Sequence, residues 1–239
     1  MTLQLPSLDK RIHAMKALAA LSKYLECHDT WLAIRQKHSL KWSTGNESLY
    51  TFERFFGDGK TFDTMLQRVR QARQELPTSY SDIFLFCTLT GLRSSEALTC
   101  IRLVKDPEQL KTYLNTSHQA LEHFRFPKIF VRRTKAVDIS LVNDEFLEIA
   151  KNAATAVETR RYDAIRMRLE RQNIQMHIGY CRKIFASHLR QSGIESEIVD
   201  LLQGRVPRTV FARHYFTLSW DYRQKVLHAL HKLRKDIER

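Results

Sequence analysis

The chain has 239 residues, 43% of them hydrophobic, enough to bury one core of ordinary size and a second small one. Lysine and arginine outnumber aspartate and glutamate by 39 to 26, a net charge of +13 that is the electrostatic footprint of a polyanion partner, nucleic acid before any other. Four cysteines without a C-x-x-C pair argue against a disulfide framework or a zinc ribbon, and the sequence has neither a run of about 18 apolar residues nor a signal segment, so no membrane partner and a cytoplasmic, nucleoid-associated setting in a host cell are expected.

From the N-terminus, Ile12, Met15, Leu18, Leu21 and Leu25 recur at steps of three or four, which predicts an amphipathic helix over 9–25. Further helices are expected over 47–56 and 62–75, with turns at Ser43–Asn46 and Gly57–Gly59 between them. Pro77 closes this region, and the chain is divided there into a helical domain, 1–76, and a larger domain, 77–239. Ser81–Thr90 reads as a buried helix ending at Gly91. Ser94–Ile101 reads as a second helix with a Ser-Ser cap and Glu96 in its first turn, which leaves a sharp corner at Gly91-Leu92-Arg93. Between Lys128 and Leu141 the β-branched residues, interrupted over 133–136, predict a β-hairpin with Lys135 at or beside its turn. From Asn143 onward the periods are helical, broken at Gly179, Gly193 and Gly204–Pro207, and a last amphipathic helix runs over 221–237. The fold class is therefore mainly α with a small antiparallel β-hairpin or sheet.

The charge is not evenly spread. Between Arg160 and Arg190 stand eight basic residues against only Asp163 and Glu170. Cutting a phosphodiester without a metal needs a nucleophile, cations on the non-bridging oxygens and an acid for the leaving 5′ oxygen. Arginine suits the clamp, because its fork gives two parallel hydrogen bonds and keeps its proton, whereas a lysine can lower its pKa enough to release one.

Thr90-Gly91-Leu92-Arg93-Ser94-Ser95-Glu96-Ala97-Leu98 resembles the first conserved box of the tyrosine recombinases, or phage-type integrases, in which an arginine at a helix corner grips the scissile phosphate. The run Arg182–Gly193 is similar to the family's second-arginine helix. Leu201-Leu202-Gln203-Gly204-Arg205 stands where the family usually has Leu-Leu-Gly-His, and Tyr215 follows ten residues later. The resemblance implies Tyr215 as nucleophile, Arg93, Arg182 and Arg205 as phosphate clamps, and Lys135 of the hairpin as the acid. Arg132, Arg133, Arg160, Arg161, Arg166, Arg168 and Lys183 are expected to contact DNA. It also implies a tyrosine recombinase catalytic fold behind a helical core-binding domain, double-stranded attachment-site DNA as partner, a tetramer on that DNA, and no cofactor or metal.

Two departures stand out. Arg205 replaces the common histidine or tryptophan, and Gly179 occupies the place, three residues before the second arginine, where the family carries a histidine or lysine to accept the tyrosine proton. His177, Tyr180, His214 or water remain as alternatives. The combination is similar to the integrases of archaeal viruses and plasmids.

Other readings of the same residues are weaker. His177, Cys181 and His188 give three zinc-type ligands on one helix and no fourth. Gly59-Lys60-Thr61 resembles the end of a phosphate-binding loop, but Arg54 stands where the earlier glycine belongs. The segment 194–215 also reads as a helix-turn-helix, which would bind DNA without cutting it, and a type IB topoisomerase shares the chemistry. The last helix is expected to pack on its own domain or in a neighbour's pocket.

Overall fold

The computed structural model describes residues 8–41, 61–132, 135–157, 162–174, 176–205 and 220–239. The chain forms two units, residues 1–58 and 59–239. In the first, helices α1 (Leu8–Tyr24) and α2 (His28–Lys37) make a helical hairpin around buried Met15 and Trp31. Glu26 takes a left-handed φ of 55° at its turn, and Ser22 Oγ is bonded to His28 Nδ1 at 2.9 Å. The helix expected over 47–56 and both turns beside it lie outside the described residues.

The second unit begins before residue 76, because α3 (Phe62–Glu75) buries Met65, Leu66, Val69 and Ala72 in its core. Its centre is α4 (Thr78–Thr90), where every residue from Tyr80 to Thr90 is buried. A helix apolar on all sides can be satisfied only by surrounding neighbours, and α4 is packed by α3, α5 (Ser94–Lys105), α8 (Asp144–Val157), α10 (Ile178–Gln191) and α12 (Trp220–Glu238). The buried polar groups on it are engaged. Thr88 and Thr90 donate back to Phe84 O and Phe86 O, and Asp82 meets Arg73 Nη1 at 2.8 Å.

At the end of α4, Gly91 adopts a left-handed φ of 65°, and a Cβ there would lie 2.6 Å from the Phe185 ring. Only glycine fits both conditions. The next helix is capped differently from the Ser-Ser expectation: Arg93 is the N-cap, and Glu96 Oε2 accepts from its backbone N–H at 2.9 Å.

The β structure also differs from the single hairpin expected over 128–141. Asp106 caps a short helix α6 (Pro107–Tyr113), and strands β1 (Leu114–Asn115) and β2 (Ala120–Glu122) follow, then a 3-10 turn His123–Arg125. Pro127 opens one helical turn, α7 (Pro127–Phe130), which drives Phe130 into the core. The hairpin is only β3 (Val131–Arg132) against β4 (Lys135–Ala136), pairing Val131 with Ala136 and Arg132 with Lys135. Strand β5 (Ile139–Leu141) leaves it to complete an antiparallel sheet of order β1-β2-β5. The remaining described elements are helices: α8, α9 (Tyr162–Arg171), α10, α11 (Ser196–Leu202) and α12.

The last helix packs on its own unit. Val226, Leu227, Ala229, Leu230, Leu233 and Ile237 are buried against α3, α4 and α10. At its start the Tyr222 hydroxyl donates to Glu195.

Candidate active site

Three helix ends build the site. The first is the end of α4, whose last turn leaves the carbonyl of Gly91 facing α10. Arg182, on α10, donates to that carbonyl through Nη1 at 2.5 Å. The second is the end of α11, closed by Gly204 with φ 63°, Gly204 N donating to Leu201 O and Arg205 N to Asp200 O. That closure leaves two carbonyls to point outward. Gln203 O accepts Arg182 Nη2 at 3.1 Å and Gly204 O accepts Arg93 Nη2 at 3.4 Å. The third is the start of α5, where buried Glu96 holds Arg93 Nη1 at 2.8 Å.

Helix C-termini carry partial negative charge, which suits them to seat guanidinium groups. A carbonyl, unlike a carboxylate, seats a cation without neutralising it. Burial lowers the Arg182 pKa, the nearby Arg93 and Arg205 charges lower it further, and Glu96 opposes them, which leaves it pushed down to about 10. The group is still charged at neutral pH, and an arriving anion would relieve the repulsion it feels. Arg205 itself is exposed and pairs with Asp200 at 3.1 Å.

The hairpin reaches the same place. A Cβ on Gly204 would lie 2.7 Å from Val137 N and 2.9 Å from Ala136 C, so the β4 end of the hairpin rests directly on Gly204. Lys135 is the strand residue next to Ala136, and Arg132 is its cross-strand partner. Arg93, Arg182, Arg205 and the strand bearing Lys135 are thus gathered around residues 203–205.

Arg166, Arg168 and Lys183 fall elsewhere. Tyr215, His214, Arg133, Arg160 and Arg161 lie outside the described residues. Arg166 is exposed on α9, 3.5 Å from Glu170, and Lys183 is exposed on α10. Arg168 lies over the Tyr80 ring, 4.4 Å from its centroid, which makes it a packing residue of this unit as much as a surface cation.

The zinc-type residues are engaged separately. Cys181 is buried with Sγ on Phe84 O, and His188 is bonded to Ala229 O. His177 caps α10, its Nδ1 accepting from Gly179 N at 2.8 Å. A Cβ at Gly179 would sit 2.6 Å from that same nitrogen, so the imidazole fills the space a side chain at 179 would take. In this cap a neutral His177 carries its proton on Nε2 and is a donor there. Tyr180 is held by Arg68 Nη1 at 2.8 Å. Sequence reasoning passed over Gln203, which is fully buried and bonds back to Arg182.

The family model of the archaeal phage integrases matches residues 61–224, more than half of the chain. The chain belongs to the archaeal phage integrase family. It is therefore an integrase-type recombinase enzyme, which implies DNA binding. No curated protein and no solved structure matches the chain. Among the described residues of this integrase, no helix is long and apolar enough to cross a membrane.

Proposed function

We propose that this integrase cuts and rejoins double-stranded DNA at attachment sites through Tyr215, integrating or excising a viral or plasmid element. The phenolic oxygen of Tyr215 attacks the scissile phosphorus, the bond to the 5′ oxygen breaks, and a 3′-phosphotyrosine remains. Lys135 gives a proton to the leaving 5′ oxygen. Arg93, Arg182 and Arg205 hold the charge that grows on the non-bridging oxygens, and the tyrosine proton passes to water, to His214 or to another acceptor. Attack by a 5′ hydroxyl of a second duplex reverses the step, so no external energy is required, and a tetramer on two sites exchanges strands.

The observation that carries this reading is the convergence of three arginines on one turn, Gln203–Arg205, with Arg182 ligated by main-chain carbonyls alone among its described hydrogen bonds. Arg132, Arg133, Arg160, Arg161, Arg166, Arg168 and Lys183 supply phosphate contacts along the DNA.

The test is incubation of wild-type protein and Tyr215→Phe with DNA nicked beside an attachment site, without divalent metal. A covalent protein–DNA band that survives denaturation is expected for the wild type only. Intact DNA binding with no band from the wild type on its true site would leave a DNA reader instead.

A further inference from the structure

Arg182 is held at both ends by one residue. The main-chain oxygen of Gln203 accepts its Nη2 at 3.1 Å, and the side-chain Nε2 of Gln203 donates back to the main-chain oxygen of Arg182 at 2.7 Å. The side chain of Gln203 is fully buried, and its Oε1 has no hydrogen-bond partner among the described residues.

A buried amide with an unmatched oxygen is costly, and methionine fills nearly the same volume without that cost. What the amide supplies is a fixed distance between the end of α11 and the backbone of α10. Through that tie the carbonyl that orients the guanidinium moves with the helix that carries it. Arginine recognises phosphate through the plane of its fork, so an error in that plane costs more than an error in charge. The same turn continues into Gly204, which bonds Arg93 and carries the hairpin, and then into Arg205.

We infer that Gln203 is a positioning residue, which sets the guanidinium of Arg182 in register with the scissile phosphate and with Arg93 and Arg205. The inference rests on the cleavage reading proposed above. Gln203 itself touches no reacting atom.

The experiment compares wild type and Gln203→Met in single-turnover adduct formation on the nicked duplex. One duplex carries a normal scissile phosphate and the other a neutral methylphosphonate, which has one less anionic oxygen to clamp. Gln203→Met is expected to bind DNA as the wild type does and to react about 10- to 100-fold more slowly on the phosphate, the usual cost of a displaced catalytic contact. On the methylphosphonate the deficit is expected to shrink to about 3-fold or less, because the contact that was displaced matters less there. A folding defect lowers the active fraction equally on both substrates, so an equal loss on both overturns the inference. So does full speed on the phosphate. A wild type that forms no adduct removes the cleavage reading and this inference with it, whereas a wild-type adduct with an unimpaired Gln203→Met removes this inference alone.

Discussion

Beneath the hairpin, Tyr113, His123 and Ser140 form a closed chain: the Tyr113 hydroxyl meets His123 Nδ1 at 2.5 Å, and His123 Nε2 meets Ser140 Oγ at 2.7 Å. Phe130 stacks on the imidazole at 4.3 Å, and burial pushes the His123 pKa down to about 3, so the ring is neutral. Around Arg182, Glu96 and Gln203 are buried too, but there the like charges of Arg93 and the exposed Arg205 accumulate, and Gln203 Oε1 has no partner among the described residues. The first cluster uses up its hydrogen-bonding capacity internally and has nothing to offer a ligand. The second keeps charge in hand, and such imbalance in a partly open corner is what the proposed clamp on a phosphate requires.

The sharpest way to break this contrast is to remove the charge from the open cluster. Arg182→Gln is expected to slow covalent adduct formation by about 10³-fold, since a preorganised donor to the developing oxyanion is lost. Its affinity for DNA should fall by only about 3-fold, because one phosphate contact among many carries little of the total. Quench-time adduct assays beside an equilibrium binding titration separate the two. A rate within about 10-fold of wild type would show that the three arginines are a structural knot and no phosphate clamp.

The closed cluster should respond in stability instead. His123→Phe preserves the stacking but takes one partner from each of two buried hydroxyl groups, at a cost of about 1 to 3 kcal/mol of unfolding free energy at pH 7. The variant should also be less sensitive to acid. Because the folded-state pKa of His123 lies below its ordinary value of 6.5, the unfolded chain takes up the proton first. Wild-type stability from this group is complete above 6.5 and is lost as the pH falls towards about 3. At pH 4.5 the loss amounts to about 2 to 3 kcal/mol. Denaturant melts of both proteins from pH 7 to 4.5 check this; parallel curves would mean that His123 is not the buried neutral group described.

How far such features could be read beforehand depended on the local physics. The corner at Gly91-Leu92-Arg93 was legible because a glycine after an apolar helix and a glutamate three residues past the next cap are local signals, and Phe62–Glu75 was legible from its period. The sheet was not, because strands of two or three residues carry no period, and β5 chose β2 over the hairpin for reasons of distant pairing. The site was partly legible. Arg93, Arg182 and Arg205, which the family resemblance picked out, lie around one turn with the hairpin beside Lys135, while Tyr215 lies outside the described residues. Gln203 escaped notice because a polar residue at a helix end is ordinarily solvated. Arg166 and Arg168 share one basic run, and only tertiary structure distinguishes the exposed one from the one on Tyr80.

That last distinction yields the smallest expected effect and a third kind of arginine. Arg166 and Arg171 are exposed on α9, so their charges are screened, and Arg166 is held only by an exposed pairing with Glu170 at 3.5 Å. Such residues serve affinity through counterion release, which counts phosphates and is indifferent to geometry. Arg166→Ala with Arg171→Ala should reduce the slope of log affinity against log salt by about 1 to 2 and leave the adduct rate at saturating DNA unchanged. Arg168→Ala should change the slope less and lower stability by about 0.5 to 1 kcal/mol, as the Tyr80 face is uncovered. If all three variants altered the slope alike, the stacking on Tyr80 would not withhold Arg168 from the phosphates, and position in the basic run would matter more than burial. If instead the double variant slowed chemistry at saturation, α9 would belong to the same preorganised cluster as Arg182, and the division between fixed and solvated cations would have to be redrawn.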